Sequence, residues 1–203
     1  MKIKSFLIIT FVVLVTLLDY KLAKFVQSIF IIKFQNLGYL FSVSISWLLV
    51  GMVPFFIFNK DGGLTLDTKK VIVNKRQLII YSLDILLGLV LFLMLGISKY
   101  FSSIKYPFIF FIITPIVEES IFRGWGYGII EKLSKKHVIV ITSLLFALHH
   151  LQYFNFSLTK FAIFQIIYTF VLGLLLGKIR KLSGGIYIGL ALHILLNFAV
   201  VYF

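Results

Sequence analysis

The chain contains long apolar runs separated by short segments that carry most of the charge. A helix needs about 20 apolar residues to cross a bilayer, and backbone polar groups in lipid must be satisfied within helices or closed barrels. The runs therefore predict an all-α, polytopic transmembrane helix bundle of about seven spans. They fall at about 4–18, 37–58, 78–98, 107–130, 138–151, 161–177 and 186–203.

The span count has two alternatives, six and eight. The fifth run is short for a span and is expected to continue past Gln152. Segment 20–36 has an amphipathic pattern, so it either lies in the membrane interface or lengthens the first two helices. Residues 1–21 resemble a signal peptide, but no small-residue cleavage site follows, so we interpret them as the first transmembrane helix.

Composition supports a single integral membrane domain, 1–203, in the cell membrane. Hydrophobic residues make up 61% of the chain, against roughly 45–50% in soluble domains. The net charge of +13 comes from residues in loops between apolar runs rather than from one patch. These loops indicate topology and lipid headgroup contacts, not nucleic-acid binding. Because the chain has no cysteine, it has no disulfide, no thiol nucleophile and no cysteine metal site.

The loop charges predict the orientation of the chain. With the N-terminus inside, thirteen lysines and arginines lie on the inner side and six on the opposite side. The positive-inside rule therefore favours an N-in arrangement with the C-terminus outside. The inner residues include those of the loops at 132–136 and 178–181, and the outer ones include Lys21 and Lys160.

Three ionisable residues, Glu118, Glu119 and Arg123, lie inside the fourth apolar run. Each such charge near mid-membrane costs roughly 2.5–3.5 kcal/mol on insertion scales, so the group needs partners or a function. On a helix, Glu119 and Arg123 are four residues apart and can pair on one face. Glu118 points about 100° away from that pair. One carboxylate is thus neutralised, and the other is left for chemistry.

Two further polar clusters share the helical spacing of four residues. Phe146 and His150 lie in the fifth run, with His149 beside them, and His193 and Asn197 lie in the last run. Each pair projects from one helix face, so three helices could converge on one polar cavity. A carboxylate and an imidazole can activate a water while other donors hold the oxyanion. The clusters predict a hydrolytic site between membrane helices.

Other residues of the fourth run suggest how its helix is shaped. Pro115 removes a backbone hydrogen bond and frees the carbonyl of Phe111, which predicts a kink that admits water near Glu118. We interpret the glycines of this run as permitting close helix packing, because no strand precedes them and no P-loop lysine follows. They are Gly124, Gly126 and Gly128.

The three clusters resemble the motifs of a known family. EESIFR at 118–123 resembles the Glu-Glu-x-x-x-Arg motif of the CPBP family, which contains CAAX prenyl proteases and bacteriocin-processing proteins and is also called Abi. FALHH at 146–150 resembles its Phe-x-x-x-His motif, and HILLN at 193–197 its His-x-x-x-Asn motif. The three occur in the family's order, in a catalytic part of about 107–203.

The resemblance implies a helical membrane bundle whose polar cavity holds the site, and it implies a role for each motif residue. Glu118 would be the general base, His150 would hold the water, and His193 with Asn197 would stabilise the oxyanion. The motif spacing selects His150 over His149. The supporting residues would be Glu119, Arg123, Phe146 and His149.

We therefore expect an intramembrane endopeptidase that acts on a peptide or small membrane protein, with pheromone or bacteriocin processing or self-immunity as its setting. No cofactor is firmly implied. A zinc site built from Glu118, His150 and His193 is the alternative, although no His-Glu-x-x-His helix is present. A non-catalytic scaffold or immunity protein is the second function class. A transporter is the third, but the chain lacks inverted-repeat halves. The oligomeric state stays open.

Overall fold

The computed structural model describes residues 3–30, 45–50 and 108–202, and within these ranges the chain is helical with no strand. Predictions on the second and third apolar runs lie almost wholly outside the described residues. The helices are α1 (Ile3–Phe30), α2 (45–50), α3 (Phe108–Glu119), α4 (Gly126–Leu133), α5 (Val138–His149), α6 (Lys160–Ser183) and α7 (Tyr187–Tyr202).

The helix boundaries show how far two of the predicted segments extend. Helix α1 is continuous to Phe30, so the segment after Tyr20 lengthens the first helix at least that far. The fifth run continues past Gln152, as expected, because a 3₁₀ turn, His150–Phe154, follows α5 directly. Asn155, the residue after that turn, has a left-handed φ of 51°.

The fourth run is interrupted after Glu119 rather than at Pro115. Helix α3 contains Pro115 without ending there, and a π-helical segment, Ser120–Trp125, follows it. Gly126 donates its N–H to the carbonyl of Ile121, and a Cβ at Gly126 would collide with that oxygen. The close backbone contact at Gly126 is therefore with Ile121 of the preceding turn. Such π-bulges often accompany functional sites.

Helices α5 and α6 approach closely through two glycines of α6 that are four residues apart. A Cβ at Gly173 would lie 2.9 Å from the Cβ of Ser143, and one at Gly177 would lie 2.9 Å from Cγ2 of Ile139. Small residues at this spacing let membrane helices pack backbone to backbone. Because 173 faces 143 and 177 faces 139, the two helices run antiparallel.

The antiparallel packing places the basic loops in two groups. The turn at 134–137 and the basic C-terminal turn of α6, with Arg180 and Lys181, lie at one end of the bundle. At the other end Lys21 donates from Nζ to Oδ1 of Asn155 at 3.1 Å. This grouping agrees with the predicted loop sides, while the face exposed to the cytoplasm stays a prediction.

The surface of α6 fits a lipid environment. It is 24 residues long with a mean hydropathy of 1.9, and it is the one helix in the described ranges long and apolar enough to cross a membrane. Ile163, Ile167 and Val171, each four residues apart, are 46%, 60% and 60% exposed. Shorter apolar helices cover Val138–Phe154 and Tyr187–Ala199. A helical membrane bundle accounts for this surface, and the count of seven spans stays a prediction.

Single cysteines test the orientation, because the natural chain has none. We expect Ser157→Cys, near Asn155, to react with a membrane-impermeant maleimide on intact cells. Ser134→Cys, at the opposite end of α5, should react only after permeabilisation. The reverse pattern would show a C-in arrangement for these helices, and equal labelling of both would contradict their placement at opposite ends.

Candidate active site

The polar residues of the fourth run are buried where α3 passes into the π-helical segment. Glu118, Glu119 and Arg123 are 2%, 0% and 1% exposed. Nη1 of Arg123 lies 3.2 Å from Oε1 of Glu119, which confirms the predicted pair. Nη2 of Arg123 also donates to the carbonyl of Gly173 at 3.2 Å. The guanidinium therefore links α3 to the glycine that lets α6 approach α5.

Glu118 lies between two imidazole rings. Its Oε1 is 3.3 Å from Nε2 of His149, and its Oε2 is 3.5 Å from Nε2 of His193. The other ring nitrogen of His193, Nδ1, contacts Oε1 of Glu119 at 3.0 Å. The structure thus brings α3, α5 and α7 together at one carboxylate, as the helical spacing predicts.

The histidine that contacts Glu118 is His149, whereas the motif spacing selects His150. Helix α5 ends at His149 and the 3₁₀ turn begins at His150. Adjacent residues of a helix point about 100° apart, so only one of the two rings faces Glu118. Nδ1 of His150 donates to the carbonyl of Phe146 at 2.8 Å. His150 is half-buried and makes no ion pair with another described residue. Its Nε2 is the nitrogen left for a water or a substrate.

Phe146 is the apolar centre around which these groups pack. Its ring is fully buried and lies 5.0 Å from the ring of His150 and 5.8 Å from that of His193. The guanidinium of Arg123 lies 4.3 Å above the same ring. Cation–π and edge-to-face contacts of this kind restrict side-chain rotamers. Phe146 therefore fixes the spacing between the two imidazoles and the arginine.

Asn197 lies one helical turn after His193 on α7. It is half-buried, and its side chain makes no hydrogen bond to another described residue. A carboxamide in this position keeps two donors available for a bound group.

Asp19 of α1 is a site residue that the sequence reasoning missed. It is fully buried, and its Oδ1 lies 2.9 Å from Nδ1 of His149. Nε2 of Gln152 donates to the same oxygen at 2.9 Å, and the indole N–H of Trp47 donates to Oδ2. The available signal was an aspartate at the end of the first apolar run. The site thus includes a residue outside 107–203.

The buried ionisable groups form one continuous chain of contacts. Three carboxylates alternate with two imidazoles and a guanidinium, so each carboxylate has a donor beside it. Among the described residues, no three His, Asp or Glu side chains are spaced to hold one metal ion. The zinc set of Glu118, His150 and His193 stays an alternative prediction. In order, the chain runs through Asp19, His149, Glu118, His193, Glu119 and Arg123.

Comparison with known proteins assigns the family. A family model described as Rce1-like, type II CAAX prenyl endopeptidase, matches residues 100–199, a range that contains all three motifs. The chain belongs to this family. The match confirms the resemblance drawn from the motifs and makes the chain a CAAX-protease-like membrane protein of a protease family. Comparisons with curated proteins and with solved structures give no match.

The ion pair of Glu119 and Arg123 has a testable energetic role. Arg123→Met leaves the carboxylate of Glu119 buried without its guanidinium, which typically costs about 3–5 kcal/mol. We expect a loss of that size in denaturant unfolding of the purified protein in detergent. Adding Glu119→Gln should recover part of it by removing the stranded charge. A single variant as stable as the wild type, or a double variant less stable than the single, would contradict this role.

Proposed function

We propose that the chain is an intramembrane endopeptidase that hydrolyses a peptide bond in a peptide or small membrane protein. The observation that carries the proposal is the buried carboxylate of Glu118 between the imidazoles of His149 and His193. Membership of the CAAX-protease family supports the reaction class. Such a carboxylate, flanked by donors in a low-dielectric setting, suits general-base chemistry on a water.

In the proposed reaction, Glu118 takes a proton from a water whose oxygen attacks the scissile carbonyl carbon. Nε2 of His150 accepts a hydrogen bond from that water and orients it. The tetrahedral oxyanion receives hydrogen bonds from His193 and Asn197. Collapse of the intermediate breaks the C–N bond, and Glu118 returns the proton to the leaving amine. No step uses a metal ion.

Glu119 and Arg123 shape the site in this proposal rather than react. A carboxylate accepts hydrogen bonds and cannot donate, so Oε1 of Glu119 fixes a proton on Nδ1 of His193. In the proposed reaction the ring carries a second proton on Nε2, from which it donates towards Glu118 and the oxyanion of the substrate. Arg123 keeps the carboxylate of Glu119 in place through its contact at 3.2 Å.

The substrate class follows from where the site lies. The catalytic groups are buried inside helices whose outer faces are apolar, so the substrate is proposed to enter from the bilayer. Nothing in the sequence indicates a prenylated substrate, and we favour a peptide or small membrane protein over a CAAX protein. Pheromone or bacteriocin processing, or self-immunity, is the proposed setting in the cell membrane. Nucleic acid is not a proposed partner.

The decisive experiment compares released peptides from cells that carry the wild type or Glu118→Ala. With equal membrane expression, we expect one or a few peptides to vanish with the variant and return with the wild-type gene, as measured by mass spectrometry. Glu131→Ala is the matched control, because Glu131 lies on α4 outside the buried cluster. It should leave the peptides unchanged.

One outcome would overturn the catalytic proposal. If Glu118→Ala releases the same peptides as the wild type while a full deletion still gives a phenotype, the protein acts without turnover. The scaffold or immunity class would then replace proteolysis. Loss of the peptides in Glu131→Ala as well would show that they depend on folding rather than on Glu118.

The proposed chemistry also predicts resistance to chelators. Peptide release by the purified protein in proteoliposomes should keep its rate in excess chelator, because the described donors provide no three-ligand cluster. The measurement is the release rate before and after chelator treatment. Complete loss of activity that zinc restores would establish a metalloprotease and overturn the metal-independent mechanism.

A further inference from the structure

We propose that Asp19 of α1 is a positioning residue of this site, which holds the ring of His149 so that Nε2 faces Glu118. The proposal rests on the peptidase function proposed above. Asp19 does not touch Glu118 or the reacting atoms. It acts through His149, whose Nδ1 lies 2.9 Å from Oδ1 of Asp19 and whose Nε2 lies 3.3 Å from Oε1 of Glu118.

Both oxygens of Asp19 are held by donors. Oδ1 accepts from Nε2 of Gln152 and contacts Nδ1 of His149, each at 2.9 Å, and Oδ2 accepts from the indole of Trp47. Asp19 and His149 are both 0% exposed. A buried carboxylate with donors on both oxygens has one orientation available. Its direction is therefore fixed before it contacts His149.

The contact determines which way the imidazole faces. Nδ1 of His149 lies 2.9 Å from Oδ1 of Asp19 and 2.8 Å from the amide nitrogen of Gln152. Because the carboxylates at its two nitrogens, Asp19 and Glu118, only accept hydrogen bonds, the ring donates to both when it carries a proton on each nitrogen. Nε2 then points away from α1, towards Glu118 and the hydroxyl of Tyr153 at 3.2 Å. The second imidazole is held in the same way, because Glu119 accepts from Nδ1 of His193 at 3.0 Å. Each oxygen of Glu118 thus meets a ring that a second carboxylate orients.

Neighbouring contacts make α1 a rigid support for Asp19. The ring of Tyr20 lies 5.7 Å from that of Trp47 and 5.3 Å from that of Tyr153. The backbone N–H of Lys21 donates to Oε1 of Gln152 at 3.4 Å. The two residues that follow Asp19 therefore contact the 3₁₀ turn that follows His149, and α1 and that turn are held together at this level.

An amide cannot replace the carboxylate of Asp19. The indole of Trp47 is a donor only, and it meets one oxygen, while His149 and Gln152 meet the other. Asparagine has a single acceptor oxygen, so in Asp19→Asn either Trp47 or His149 faces an NH₂ group. If the NH₂ group faces His149, the proton on Nδ1 has no acceptor there, so the ring must lose that proton or turn. The size of the side chain is unchanged, so the variant tests the acceptor rather than the packing.

The kinetic test uses the peptide precursor identified with Glu118→Ala and the full chain in proteoliposomes. We expect Asp19→Asn to lower kcat by about 10- to 100-fold, by analogy with carboxylates that orient metal-bound imidazoles, with KM within about twofold. Combining Asp19→Asn with His149→Gln should be no worse than His149→Gln alone, since Asp19 acts through that ring. Glu131→Gln, an acid-to-amide change outside the cluster, is the control with unchanged kcat.

A second measurement is independent of turnover. Nitrogen-15 NMR of histidine-labelled protein in lipid nanodiscs reports, for each ring nitrogen, whether it carries a proton, and the chain has four histidines. His149→Gln identifies the signal of His149. We expect a protonated Nδ1 in the wild type, lost or shifted in Asp19→Asn and unchanged in Glu131→Gln.

The outcomes separate this proposal from the proposed function. An unprotonated Nδ1 of His149 in the wild type overturns the role of Asp19 even if Asp19→Asn does not accumulate. Unchanged kcat in Asp19→Asn, or independent effects of Asp19→Asn and His149→Gln, also overturns it, while peptide loss in Glu118→Ala would still uphold the peptidase. If Glu118→Ala releases every peptide and the NMR shift is present, the peptidase proposal fails and the contact of Asp19 with His149 is shown without it.

Discussion

Burying carboxylates among apolar helices is the constraint on which the rest of this structure depends. Glu118, Glu119 and Asp19 are each at most 2% exposed, and an unpaired charge at such a site costs several kcal/mol. The protein meets this cost with donors on neighbouring helices, because Arg123, His149 and His193 each contact at least one carboxylate. Association of these helices is thus tied to completion of the polar site.

The backbone features near the site serve the same requirement. The π-helical segment at Ser120–Trp125 carries Arg123, and Gly126 lets its backbone approach the carbonyl of Ile121. Gly173 lets α6 approach α5 closely. The carbonyl of Gly173 also accepts a hydrogen bond from Arg123, on the π-helical segment, at 3.2 Å. A larger residue at 173 would meet Ser143 and move that acceptor. Close packing and charge compensation therefore depend on the same positions.

A site of this construction has consequences for function. Its polar groups hold one another in fixed orientations, as electrostatic preorganisation requires. The two imidazoles nearest Glu118 are each oriented by a second carboxylate. Asp19 on α1 contacts His149 on α5, and Glu119 on α3 contacts His193 on α7. The N-terminal helix therefore belongs to the site. A non-catalytic binding protein would have less need for such fixed imidazoles, which is why the peptidase function is preferred.

The sequence by itself determined the local features. The apolar runs that the structure describes form helices, as expected for segments that must satisfy their own backbone in lipid. The spacing of four residues predicted the pair Glu119 with Arg123, now seen at 3.2 Å. The three motifs also identified the family, which matches over residues 100–199. Each of these features lies within a single segment, so the helical period and the local motifs were enough to predict it.

Tertiary structure alone decided which groups meet. His149 rather than His150 contacts Glu118, and the motif spacing that selects His150 does not report how α5 packs against α3. Asp19 meets Gln152 across 133 residues of sequence, a separation at which no local pattern carries information. Contacts between distant segments depend on how whole helices pack, and that is set by the sum of many side chains rather than by any one motif.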